Sequence, residues 1–471
     1  MKKNLFSLLL LGLVCMPGMA KVKLPEIISN HMVLQQQTEV KLWGTAKAEQ
    51  FVMVTPSWSN KTFRTKSDSD GNWLIKISTP AAGYHTYSIT FSDGEKTVIN
   101  DILIGEVWFC SGQSNMQMPL NGYWGCPVLN ANEDIAYSGQ YKGIRYSNTP
   151  HIAALTPQKT VDGDWKLCNP ENAPDFSAAA FHFAVSLNKV LDVPVGIINC
   201  SWGGSTVEGW LPKDILEKYP DVDLSQAGSK TTVDYMQPMI MYNGMLKPLE
   251  NYTIKGFLWY QGESNVGRDN TYAQRLATMV KLWREEWGLG QLPFYEVEIA
   301  PYDYGKNNIG AYLREAQFNA LSLIPNSGMI STNDLVEPFE KHNIHPRNKT
   351  LVGKRLSYLA LVNTYGIKGI CDKGPVYKSM EIENGKIVLS FYNAENGFNH
   401  STDLKGFEIA GADKIFHPAT AQVYKSLQII VSNDSVPQPT AVRYCFQNFQ
   451  IGNVCNHREL PLVPFRTDNY K

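Results

Sequence analysis

Apolar positions change their spacing twice along the chain. From 21 to about 100 they fall in short strand-like runs, among them Val40-Lys41-Leu42-Trp43, Phe51-Val52-Met53-Val54 and Trp73-Leu74-Ile75-Lys76-Ile77. Ser69-Asp70-Gly71-Asn72 supplies a turn, and Tyr84 to Phe91 alternates again. This predicts an antiparallel β-sandwich or jelly-roll-like module over 21–100. From 101 to 369, strand-like runs alternate with helical stripes, the signature of an α/β unit. Strands are predicted at Val107-Trp108-Phe109, 195–199, 257–260 and 294–299, with Met329-Ile330 leading into a further loop. Helices are predicted over 176–191 and 311–323 and from near Leu351. Another, after the strand at 257–260, carries Tyr272, Leu276, Met279, Val280, Trp283 and Trp287 as a 3.6-residue core stripe. The region 370–471 returns to β, most clearly at 386–391 and 427–431. No internal repeat or low-complexity segment interrupts this order.

Composition sharpens the picture at the amino terminus. Residues 1–20 read as a secretory signal: Lys2 and Lys3, an apolar centre from Leu8 to Val14, and Gly18-Met19-Ala20 as a cleavage site. The apolar run is too short to span a bilayer, and no later stretch reads as transmembrane. A secreted or periplasmic protein is expected. Removing that signal takes two lysines from 43 basic residues, leaving 41 against 44 acidic ones, a net of −3. So weak a charge gives no reason to expect nucleic acid or an anionic membrane as partner. Seven cysteines remain, without a C-x-x-C pair or zinc-like spacing. Cys126–Cys168 and Cys445–Cys455 are conceivable disulfides, and an odd count leaves at least one thiol over.

The candidate chemistry sits where strands end. Val107-Trp108-Phe109 leads into Gly112-Gln113-Ser114-Asn115, the strand at 195–199 into Cys200-Ser201-Trp202-Gly203-Gly204, and that at 257–260 into Gln261-Gly262-Glu263-Ser264-Asn265. A fourth loop, 341–350, holds His345 just ahead of a helix. A doubly wound sheet brings such carboxyl-end loops to one rim. Acyl transfer needs a hydroxyl nucleophile, an imidazole to take its proton and neutral donors for the oxyanion, and these loops contain all three. Of nine histidines, His345 is the best base. His182 falls mid-helix, His31, His85, His400, His417 and His457 lie in β regions, and His151 has no cluster around it. His342 and His345 lack a third ligand, so no metal site is expected.

Gly112-Gln113-Ser114-Asn115-Met116, Trp202-Gly203-Gly204, Trp259-Tyr260-Gln261-Gly262-Glu263 and Ile344-His345-Pro346 resemble the sialate O-acetylesterases of the SGNH hydrolase superfamily. The likeness extends to His31-Met32-Val33-Leu34-Gln35 and to Pro464-Phe465-Arg466-Thr467-Asp468, covering nearly all of the mature chain. It implies an α/β fold with a flavodoxin-like three-layer parallel sheet flanked by β-sandwich or jelly-roll-like modules. It also implies hydrolysis of acetyl esters on sugars, with no cofactor and an acetylated glycan as partner. By that resemblance Ser114 is the nucleophile and His345 the base. Ser114, Gly204 and Gln261 supply the oxyanion donors, and Glu263 and Asn265 hold the loop around them. The resemblance normally places an Asp three residues before the His, where this chain has His342. Asp334 could supply the acid if its loop folds back, or a backbone carbonyl could orient the ring and leave a Ser–His dyad, the reading preferred here. Trp202, Trp210 and Tyr260 are candidate sugar-binding rings. The substrate is read as an O-acetylated sialic acid, with acetylated xylan or xyloglucan as the alternative. A carbohydrate-binding protein on a hydrolase fold is the remaining rival.

Overall fold

Val107-Trp108-Phe109 lies within a 17-residue strand, Lys96–Gly112, that ties two parts of the molecule together. The structure is a computed structural model and describes residues 21–470 apart from 60 and 306; the expected signal at 1–20 lies outside the described residues. The first half of the long strand pairs antiparallel with Gly83–Ser92 and parallel with Val33–Gln35. Its second half is the centre of a parallel sheet. The boundary expected at 100/101 therefore falls inside one continuous strand.

Across the parallel sheet the strands run Ser327–Ile330, Phe294–Val297, Gly256–Tyr260, Lys96–Gly112, Val195–Ser201, Ile144–Asn148 and Trp165–Leu167. Only the last pairing is antiparallel. The central strand is apolar on both faces because both are covered, as parallel sheets require. Trp108 and Cys110 join a core with Phe183 of helix Ala178–Leu191 and Leu356 of helix Lys349–Asn363. Val107 and Phe109 face a second core with Trp283 and Trp287 of helix Asp269–Trp287 and Leu313 of helix Ile309–Ala320. Alternation of side chains along a strand produces this division. The predicted stripe Tyr272, Leu276, Met279, Val280, Trp283, Trp287 is buried throughout. The three-layer α/β architecture is as expected.

The second core continues without a break into the amino-terminal β strands, through Val40, Leu42, Trp43, Trp73 and Phe91. The carboxyl-terminal region instead has its own core between two four-stranded sheets. All seven described cysteines are free thiols, so neither conceivable disulfide forms. Cys126 points instead to Asn343, 3.2 Å from its Oδ1. Among the described residues no helix is long and apolar enough to cross a membrane.

Candidate active site

Register brings three loops to one level. Gly112 pairs with Ser201 on one side and Tyr260 on the other. The chain then leaves all three strands through hydrogen bonds between them, from Trp202 N to Gly112 O (3.1 Å) and from Gln113 N to Tyr260 O (2.9 Å). Gly112 must be glycine: its φ is +136°, and a Cβ would stand 2.1 Å from Tyr260 O. Ser114 opens the short helix Ser114–Gln117 directly after this kink. The site therefore lies outside the carboxyl ends of the strands, where the sheet order changes direction.

His345 arrives from the loop before helix Lys349–Asn363. Glu340 Oε1 accepts from Arg347 N, and Asn343 Oδ1 accepts from His345 N at 3.0 Å, so the loop is fastened on both sides of the ring. Its Nε2 lies 2.8 Å from Ser114 Oγ. Tyr123 closes over the pair, its ring edge-on to the imidazole at 5.1 Å and its hydroxyl donating to Ser114 O. Burial, then the charge of Lys349, pulls the imidazole pKa down to about 4. The ring is thus neutral near pH 7.

Asp334 is brought elsewhere. Its carboxylate takes a two-point ion pair from Arg355 at 2.7 and 2.5 Å, and Arg355 also donates to Ser331 O. Among the described residues no carboxylate pairs with His345. His342 projects outward toward Asp303, 3.7 Å away.

The expected oxyanion donors separate. Gln261 is fully buried, with Nε2 donating to Ser205 O and Asn265 Oδ1 and Oε1 accepting from Tyr272. Both amide protons are spent inside the loop, so its side chain is a strut and does not face the cleft. Asn265 completes that strut by accepting from Val207 N and donating to Glu208. By contrast, no protein acceptor takes the N–H of Ser114 or of Gly204 among the described residues. Gly203 packs against Ser114, since a Cβ there would meet the Ser114 Cβ at 3.3 Å.

Behind Ser114 lies a buried polar chain that sequence reading missed. Asn115 donates to Glu263 and to Ile344 O, and its Oδ1 accepts from Lys349 Nζ at 2.6 Å. Lys349 is fully buried, which lowers its ammonium to about 7 against the opposing pull of Glu263 and Glu340. Burial likewise raises the Glu263 carboxyl, whose Oε2 has no hydrogen-bond partner among the described residues. One amide thus joins the Ser114 helix, the Glu263 loop and the His345 loop.

An open cleft of about 540 Å³ leads to Ser114. Of the three candidate sugar-binding rings, only Trp202 lines it. Trp210 is buried in a tryptophan cluster with Trp259 and Trp283, and Tyr260 lies under the Lys349 ammonium. His151 also lines the cleft, stacked on Trp202 at 4.4 Å and 3.1 Å from Gln117 Nε2. Nothing near His151 in the sequence signals this, because tertiary folding alone brings it in. A hydroxyl bonded to a neutral imidazole, beside unpaired amides in an open cleft, is equipped for acyl transfer.

The comparisons agree with that chemistry. The family model described as carbohydrate esterase, sialic acid-specific acetylesterase matches residues 104–361. The human sialate O-acetylesterase is 26% identical over 92% of this chain and 88% of its own length. The mouse sialate O-acetylesterase is also 26% identical, over 93% of each. The crystal structure of a carbohydrate acetylesterase from Xanthomonas citri superposes with a TM-score of 0.84 at 32% identity, over 95% of this chain and all of that one. The chain is an ester hydrolase and belongs to the carbohydrate esterase, sialic acid-specific acetylesterase family.

Proposed function

We propose that this enzyme removes acetyl groups from O-acetylated sialic acids through a Ser114–His345 dyad. The observation that carries the reading is the 2.8 Å contact between Ser114 Oγ and His345 Nε2 beside two unpaired amides. His345, neutral at physiological pH, takes the Ser114 proton as Oγ attacks the acetyl carbonyl. The N–H groups of Ser114 and Gly204 hold the oxyanion. Collapse breaks the ester bond, and the imidazolium returns the proton to the departing sugar hydroxyl. Water, deprotonated by His345, then attacks the acetyl-enzyme and acetate leaves, restoring the serine. The neighbouring residues each have a place in this scheme. Glu263 and Asn265 hold the loop, Gln261 braces it, and Asp334 locks Arg355.

The substrate reading rests on the family and its curated relatives. An acetylated hemicellulose is the second reading, supported by the open cleft and by the likeness to the Xanthomonas protein, which is described as a carbohydrate acetylesterase without a stated sugar. The charged, apolar and small-residue pattern of 1–20 supports export to the periplasm or the medium. The test is acetate release from an O-acetylated sialoglycan and from acetylated xylan, side by side, with Ser114→Ala as control. Preference for the sialoglycan, lost in the variant, is the expected result. Preference for xylan would keep the mechanism and replace the substrate. Acetate release from neither glycan by folded protein would overturn the reading.

A further inference from the structure

We infer that Trp124 is a platform on which a sugar ring of the acetylated glycan stacks, making it a specificity-determining residue. This rests on the glycan reading above. Of the eleven tryptophans, Trp124 alone is exposed, and its side chain is fully so. The others are at least partly buried. An indole left entirely in water forgoes the burial that places tryptophans in cores, so its position asks for an occupant.

The backbone beneath it is fixed. Tyr123 N donates to Cys126 O at 3.0 Å and Cys126 N to Tyr123 O at 2.9 Å, making Trp124-Gly125 the tip of a tight two-residue turn. Gly122 enters that turn with φ +72°, where a Cβ would meet Cys126 O at 2.6 Å. Both ends are clamped to the reacting pair. Tyr123 touches His345 through its ring and Ser114 through its hydroxyl. Cys126 donates to the same Asn343 Oδ1 that accepts from His345 N. The turn therefore holds the Trp124 backbone at a set position relative to Ser114 and His345, and the indole projects from it into solvent.

The acetyl group is small and is consumed at the bottom of the cleft. Tyr123 lines the cleft wall, so a sugar leaving the cleft on that side would pass the Trp124 turn. A flat ring next along the chain offers the sugar's C–H face an apolar surface without a hydrogen-bond demand.

The experiment compares kcat/KM for an acetylated glycan with kcat/KM for 4-nitrophenyl acetate, which has no sugar to stack, in wild type, Trp124→Ala and Trp124→Phe. The glycan is whichever of the sialoglycan and the xylan the wild type deacetylates. The glycan-to-aryl-ester ratio is expected to fall about tenfold in Trp124→Ala, mainly through KM, and to recover largely in Trp124→Phe. An unchanged ratio in an enzyme that deacetylates glycan overturns the platform alone. Equal losses on both esters mark a structural role and also overturn it. A wild type active on the aryl ester but on neither glycan overturns the substrate reading, and the platform with it.

Discussion

A triad acid raises the pKa of its histidine; here the charged neighbour of His345 is Lys349, which lowers it. The base should therefore stay neutral well into the acid range. The acid limb of the kcat/KM profile is expected near pH 4, where His345 gains a proton, and not near the ordinary imidazole value. Lys349→Met removes the positive charge, so the imidazole pKa rises and the acid limb moves to higher pH. A limb unmoved by that substitution would show that burial alone sets the ring. Asp334 gives a second residue-scale prediction. With its carboxylate committed to Arg355, Asp334→Asn should leave kcat within about threefold, whereas an acid that fixes the histidine tautomer is worth about 10⁴-fold. Its cost should appear in stability, about 2–4 kcal/mol by denaturant titration, because a buried guanidinium loses its counter-charge.

At the scale of elements, the register between the long strand and its two neighbours builds the site. Gly112 sits in register with Ser201 and Tyr260 together, and there is no room for a side chain. Gly112→Ala should cost about 3 kcal/mol or more and reduce activity with it, as a strained φ and a backbone clash combine. The chain's periodicity made these elements legible, since strands buried on both faces and a 3.6-residue stripe leave strong local patterns. Ser114 and His345 were legible for a related reason: short polar motifs at strand ends and before helices mark loops that face solvent. Side-chain direction was not. Gln261 stands in the expected loop, yet the Ser205 carbonyl and Asn265 draw its amide inward. Trp210 and Tyr260 follow the same logic, because an aromatic residue near a motif can point to either side of a loop. Lys349, His151 and the Tyr123 turn reach Ser114 only through tertiary folding, and no local pattern announces that.

Over the whole molecule, the carboxyl-terminal sheets buttress the α/β unit by satisfying groups that it buries. Arg314, almost without exposure, donates to Cys445 O and Gln447 O, and Asn333 Nδ2 donates to Leu462 O. Arg466 pairs with Glu315 through two bonds of 2.8 Å. A chain ending at 369 would strip Arg314 of both carbonyl acceptors and Asn333 of its own, uncovering this side of the α/β unit at the loop that holds Asp334 and leads to His345. Such a truncation is expected to lose cooperative thermal unfolding as well as esterase activity, followed by circular dichroism and aryl acetate hydrolysis. A truncated chain that melts cooperatively and keeps its turnover would mean that the tail serves another purpose.

Everything proposed for this acetylesterase turns on Ser114, activated by His345, as its nucleophile. Peptide mapping by mass spectrometry after treatment with an organophosphonate esterase inhibitor tests it most directly. One adduct, on the peptide containing Ser114, should form in step with the loss of acetate release, and His345→Ala should form it far more slowly. An adduct on a different residue, or full turnover by protein modified at Ser114, would rule Ser114 out as the nucleophile.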